Sequence, residues 1–260
     1  MKTDSFPDYF SIAAQEYARF RPRYPAALFD WLASLCPRRE LAWDCATGSG
    51  QAALELARRF PRVVATDASE KQIAQAPPRS GMTTLVALAE DSGLETGTVD
   101  LVTVAQALHW FDLPRFYAEA GRVLVPGGVI AAWSYQLASV DAEVDHVIRH
   151  LYGDIVGAYW PPERALVERG YAGLPFPFAE ISPPAFLMEE TWDLTQLVGY
   201  LGTWSAVQRY REKTRSDPID RIRPDLERAW GDRERPRVIR WPLHLRAGRK
   251  EIPQSDPGLL

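Results

Sequence analysis

Through the first half of the chain, short apolar blocks alternate with polar, helix-forming stretches. Leu41–Cys45 and Arg62–Thr66 are short and apolar, and Val99–Ala105 is almost wholly apolar and partly β-branched, the pattern of strands buried on both faces. A weaker run lies near residues 83–88, and a further one follows the Pro126-Gly-Gly128 turn at Val129–Tyr135. Helix signals fill the gaps. Pro25 precedes Leu28, Trp31, Leu32 and Leu35, spaced as one buried stripe, and helix formers run from Ala52 to Phe60. Ser69 is placed to cap a helix over Glu70–Ala76, which Pro77-Pro78 stops. Asp112 and Pro114 head another helix, with Phe116, Ala120 and Val123 on one face. Strands alternating with helices predict βαβ units and a parallel sheet.

The alternation fades after Tyr135. Val140, Val144, Val147, Ile148 and Leu151 mark one amphipathic helix. Tyr171–Phe186 is rich in proline and aromatics and predicts loop or edge strand. Helices are expected over Thr195–Arg211, despite Gly199 and Gly202, and over Pro218–Trp230. Arg237–Arg246 reads as a last strand, which Pro242 assigns to an edge. A nucleotide-type half is thus followed by a helical, aromatic-rich insertion that rejoins the sheet.

Composition changes this picture little. Hydrophobic residues make up 46% of the 260 and charged residues 25%, ordinary for a soluble globular protein. No apolar run approaches the roughly 20 residues that span a bilayer, and the first residues lack the pattern of a signal peptide. The only cysteines, Cys36 and Cys45, form neither a disulfide framework nor a zinc spacing, so a cytoplasmic, metal-free protein is expected. From Arg209 to Lys250, Lys and Arg outnumber Asp and Glu by 14 to 7. The signs alternate, as on a solvated helix face, which disfavours nucleic acid as a partner.

Asp44-Cys-Ala-Thr-Gly-Ser-Gly50 is the most informative stretch. A strand turning through glycines into a helix brings backbone N–H groups and the helix's positive end close to a ligand. Gly48 and Gly50 allow that approach, and Asp67, at the end of the next strand, can accept hydrogen bonds from ribose hydroxyls. Three readings stay open: an adenosine-type ligand, a nicotinamide or flavin dinucleotide (Gly48-Ser-Gly50-Gln-Ala-Ala53 fits G-x-G-x-x-A), and a structural turn. Asp44 leans toward S-adenosylmethionine (SAM), because its carboxylate repels a pyrophosphate and suits ammonium and sulfonium charges.

Several stretches in order, Trp43–Ala53, Val64–Ser69, Ala89–Leu94, Val99–Phe111 and Arg122–Gly128, with Phe20–Pro25 and Thr203–Ala206, carry a resemblance covering nearly the whole chain. The chain resembles class I SAM-dependent methyltransferases of the type 11 domain, in the trans-aconitate methyltransferase-like branch. The resemblance implies an α/β, doubly wound, mostly parallel seven-stranded sheet. Residues 1–135 would form the SAM-binding core with an N-terminal lid segment. Residues 136–260 would form the substrate-side insertion and the C-terminal strands of the same sheet. It also implies that Asp44, Ala46, Gly48 and Gly50 hold the methionine portion of SAM and Asp67 the ribose. Ala68 would pack on the adenine, Ala89 and Glu90 would lie at its edge, and Ala105 and Gln106 would floor the sulfonium. Ala46 and Leu88 depart from the family's glycine and aspartate at those places.

Methyl transfer from a sulfonium needs an aligned nucleophile more than a catalytic group. His109, just past the strand ending at Ala105, is the candidate to orient an acceptor or act as base. Tyr17, Arg21, Trp110 and Trp133 are the candidate acceptor contacts, and the Arg19/Arg21/Arg23 cluster suits a planar carboxylate. His146 and His150 are expected in solvent and His244 in a structural role. The predicted activity is methylation of a small molecule, carboxylic acids included. A dinucleotide-dependent oxidoreductase and a SAM-binding protein without turnover are the alternatives.

Overall fold

The computed structural model describes residues 20–252. In chain order the elements are α1 (Ala26–Leu35), β1 (Leu41–Cys45), α2 (Gln51–Leu56), β2 (Arg62–Asp67), α3 (Glu70–Ile73), β3 (Met82–Val86), β4 (Val99–Ala105), α4 (Leu113–Val123) and β5 (Leu124–Tyr135). There follow α5 (Ala142–Arg149), a π-helical turn (His150–Ile155), α6 (Arg164–Glu168), β6 (Ala179–Ile181), β7 (Leu187–Trp192), α7 (Leu194–Gly202), α8 (Ser205–Thr214), α9 (Pro218–Trp230) and β8 (Arg237–Arg249).

The sheet has the order β3-β2-β1-β4-β5-β8-β6, with β7 paired to β8. The β1–β2, β2–β3, β1–β4 and β4–β5 ladders are parallel, and β6 and β7 run antiparallel to β8. The mostly parallel sheet is thus as expected, with eight strands in place of seven. β1 is buried at every position and β4 from Val99 to Val104, so the sheet is covered on both faces there. Its order reverses between β2 and β4 on either side of β1. At such a switch point the crevice beyond the strands' C-terminal ends receives ligands.

The chain divides into two compact units. One holds residues 25–134, 169–186 and 244–252, and with them the parallel strands. The other holds residues 20–24, 135–168 and 187–243. Its core is aromatic. Trp241 lies 5.2 Å from Trp192 and 5.4 Å from Tyr200, ring centre to ring centre, and its indole donates to the Tyr200 hydroxyl at 3.1 Å. Most tryptophans of the insertion therefore serve packing.

Four local expectations are corrected. Pro126-Gly-Gly128 is not a turn ahead of the strand. β5 runs through it, and the ladder steps from Val99–Leu124 to Leu101–Val129, so these residues form a bulge. The helix expected over Thr195–Arg211 breaks into α7 and α8 at Thr203–Trp204, where the Thr203 hydroxyl turns back to the Tyr200 carbonyl. Pro242 is not on an edge. It closes the β7 ladder opposite Leu187, and β8 beyond it lies between β5 and β6. β7 itself is an added strand.

Candidate active site

At the end of β1 the chain turns through Ala46, Gly48 and Gly50, all left-handed, with φ of 53°, 57° and 83°. Ala46 therefore takes the glycine conformation with a methyl group attached, which costs roughly 1–2 kcal/mol. Gly50 sits at the head of α2, and a Cβ there would meet the Ala76 methyl at 3.2 Å. The Thr47 amide donates to the Thr66 carbonyl at 2.8 Å, holding the loop against β2.

Two aspartates brace this loop. Asp44 is wholly buried. It accepts from the Thr47 hydroxyl at 2.5 Å and the Thr103 hydroxyl at 2.7 Å, and Ala53 adds a backbone hydrogen bond. Burial outweighs these bonds and pushes its pKa up to about 6. Asp67 accepts from the Gly48 amide and the Ser69 amide, each at 2.9 Å, and its pKa too is raised by burial. Asp44, Asp67 and Glu90 are close enough for all three to disfavour ionisation of the buried Cys45 thiol. Asp44 beneath the loop and Asp67 beside it make its surroundings anionic, a setting for a cationic ligand and against a pyrophosphate.

Other predicted residues fall around the same strand ends. Ala68 is half-buried after β2, and Ala89 is buried in the turn after β3. The Glu90 carboxylate accepts from the Asp112 amide at 2.9 Å and so ties that turn to the start of α4. Ala105 and Gln106 close β4. Gln106 is left-handed, with φ of 59°, and its amide donates to the Trp133 carbonyl at 2.9 Å. His109 follows on a 3-10 turn, half-buried, with its ring 4.7 Å from that of Trp110.

Some acceptor contacts are placed differently from expectation. Trp133 is wholly buried, edge-on to Phe29 of α1, because β5 is covered on both faces; it offers no exposed ring as a pocket wall. Tyr17 and Arg19 lie outside the described residues. In the other unit, Arg21 donates to the Tyr135 hydroxyl at 2.8 Å and lies over the Tyr200 ring at 5.8 Å, whereas Arg23 is exposed. His146 and His150 are exposed, and His150 pairs with Asp154 at 2.8 Å. Among the described residues no His, Cys, Asp or Glu cluster is arranged to hold a metal.

Sequence reasoning missed Thr103 and Tyr171. Thr103 stands beside Asp44 in the β1–β4 register, a neighbourhood that only strand pairing reveals. Tyr171, inside the stretch read as loop, places its hydroxyl 3.0 Å from Nδ1 of His109.

Comparison with known proteins decides the family. A relative in Dictyostelium discoideum, assigned as a methyltransferase, is 34% identical over 230 residues, spanning 86% of this chain and 87% of its own. This chain belongs to the methyltransferase family. The family's methyltransferase domain matches residues 43–132, from the buried β1 through the glycine loop and into β5. A solved chain from Anaeromyxobacter dehalogenans, assigned as a type II methyltransferase, is 52% identical, with a TM-score of 0.85 over 90% of this chain and 99% of its own. A Mycobacterium tuberculosis methyltransferase is 36% identical over 176 residues, 66% of each chain. The protein is a SAM-dependent methyltransferase with a Rossmann-like fold, and the anionic surroundings of the loop are consistent with that cofactor. Among the described residues, no helix of this methyltransferase is long and apolar enough to cross a membrane.

Proposed function

We propose that this methyltransferase transfers the methyl group of SAM to a small acidic molecule, forming an ester, in the cytoplasm. Bound SAM supplies a methyl group whose bond to sulfur breaks with the electron pair going to sulfur. The carboxylates of Asp44 and Asp67 favour its positive charges. Asp44, Ala46, Gly48 and Gly50 would surround the methionine portion, and the open lone pairs of Asp67 would take the ribose hydroxyls. Ala68, Ala89 and Glu90 would border the adenine, and Ala105 and Gln106 would lie beneath the sulfonium.

The acceptor oxygen supplies the pair for the new O–C bond. A carboxylate is already ionised at neutral pH, so no proton has to leave it and no strong base is required. The observation that carries the reading is the donor character of His109. It stands at the ligand-facing end of β4, half-buried beside the Trp110 ring, where a ring N–H can donate to a carboxylate. Incubation of the full chain with radiolabelled SAM and a panel of carboxylic acids, phenols and amines tests it. Label in a base-labile ester is expected, and turnover confined to neutral amines would overturn it.

A further inference from the structure

The segment that delivers Tyr171 to His109 is constrained from several sides. Gly170 and Tyr171 are consecutive left-handed residues, with φ of 59° and 61°. A bulky aromatic residue rarely takes that conformation. β8 enforces it. A Cβ on Gly170 would lie 2.8 Å from Cγ and 2.9 Å from Nδ1 of His244, so only glycine fits. Two residues further along β8, Arg246 donates to the Tyr171 carbonyl at 3.4 Å and the Leu174 carbonyl at 2.7 Å. The Tyr171 side chain is wholly buried, its ring plane 30° from that of His109 with centres 6.0 Å apart. Strained backbone that persists because its surroundings over-determine it is characteristic of functional sites. Here it brings the Tyr171 hydroxyl within 3.0 Å of Nδ1 of His109.

We propose that Tyr171 is a positioning residue for His109: its hydroxyl donates to Nδ1 and so keeps the neutral imidazole protonated on Nε2. The direction follows from relative acidity. The phenol is the better acid of the pair and the imidazole nitrogen the better base, so O–H···N is the stronger of the two arrangements. His109 then presents an N–H donor to the acceptor. It orients an anionic oxygen nucleophile and takes no proton from it. The inference rests on the reading that His109 meets the acceptor, and it assigns that acceptor to the class of preformed anions.

Nitrogen NMR of the full chain, labelled with 15N-histidine and saturated with S-adenosylhomocysteine, tests the proposal, with His109→Gln assigning the signals. The wild type is expected to show a protonated Nε2 and an unprotonated, hydrogen-bonded Nδ1. In Tyr171→Phe the hydrogen-bond shift at Nδ1 should disappear and the ring should exchange between tautomers. A proton on Nδ1 in the wild type, or an unchanged His109 spectrum in Tyr171→Phe, would overturn it. Should Tyr171→Phe not fold, the wild-type spectrum decides alone. Methyl transfer by His109→Gln tests the underlying reading separately, since an unchanged rate refutes contact with the acceptor without altering the tautomer result.

Discussion

Asp44 and Asp67 divide the work of the glycine loop between them. Asp67 holds the Gly48 amide of the loop and the Ser69 amide at the head of α3, and keeps lone pairs for a ligand. Asp67→Ala is expected to weaken S-adenosylhomocysteine binding by about 1.5–3 kcal/mol, the cost of losing hydrogen bonds to a charged acceptor. Unchanged affinity by calorimetry in a folded variant would contradict this. Asp44 acts through its charge. Its folded pKa of about 6 lies above the unfolded value near 4. Folding therefore costs nothing from this group below about pH 4, where both states are protonated. The cost grows between about pH 4 and 6 and is complete above, on the order of 1–3 kcal/mol. Asp44→Asn should accordingly raise the ligand-free protein's stability at pH 7.5 and weaken SAM binding, with denaturant melts and calorimetry as the checks. For the wild type, SAM affinity should rise between pH 5 and 7 as the carboxylate ionises. A flat affinity over that range would count against the electrostatic role of Asp44.

The helices and strands show which signals survive into three dimensions. Asp112 caps α4 by accepting from the Arg115 amide at 3.3 Å, and Asp112→Ala should cost about 1 kcal/mol in a thermal or denaturant melt. Gly81 is more demanding. Its φ is 79°, and a Cβ would come 2.4 Å from the Pro61 carbonyl oxygen, backbone that cannot swing away. Gly81→Ala should destabilise by roughly 2–4 kcal/mol, and a change below 0.5 would refute the close approach. Elements set by local chemistry were legible in the sequence: β1, β4, α4 and α9 begin and end as their apolar runs, caps and prolines indicate. Features set by partners were not. The bulge at Pro126-Gly-Gly128 depends on the β4 ladder, and the interior position of β8 depends on β5 and β6. The same division holds in the site. The glycine loop and its aspartates announce themselves, since glycine and carboxylate chemistry is local. Tyr171 reaches His109 only because β8 presses on Gly170, and Gly170 was its one local trace.

At the scale of the molecule, the account turns on charge. A Rossmann-like crevice at a glycine loop suits dinucleotides and SAM alike, and the G-x-G-x-x-A spacing does not separate them. What separates them is the carboxylate of Asp44, buried beneath the loop at the end of β1. A phosphate-binding loop would meet its ligand with amides and cations. The most direct measurement is calorimetric titration of the full chain with SAM, S-adenosylhomocysteine and NADH under one condition at pH 7.5. The account predicts saturable binding of SAM and S-adenosylhomocysteine and no heat from NADH. Tight NADH binding with none for S-adenosylhomocysteine would contradict it.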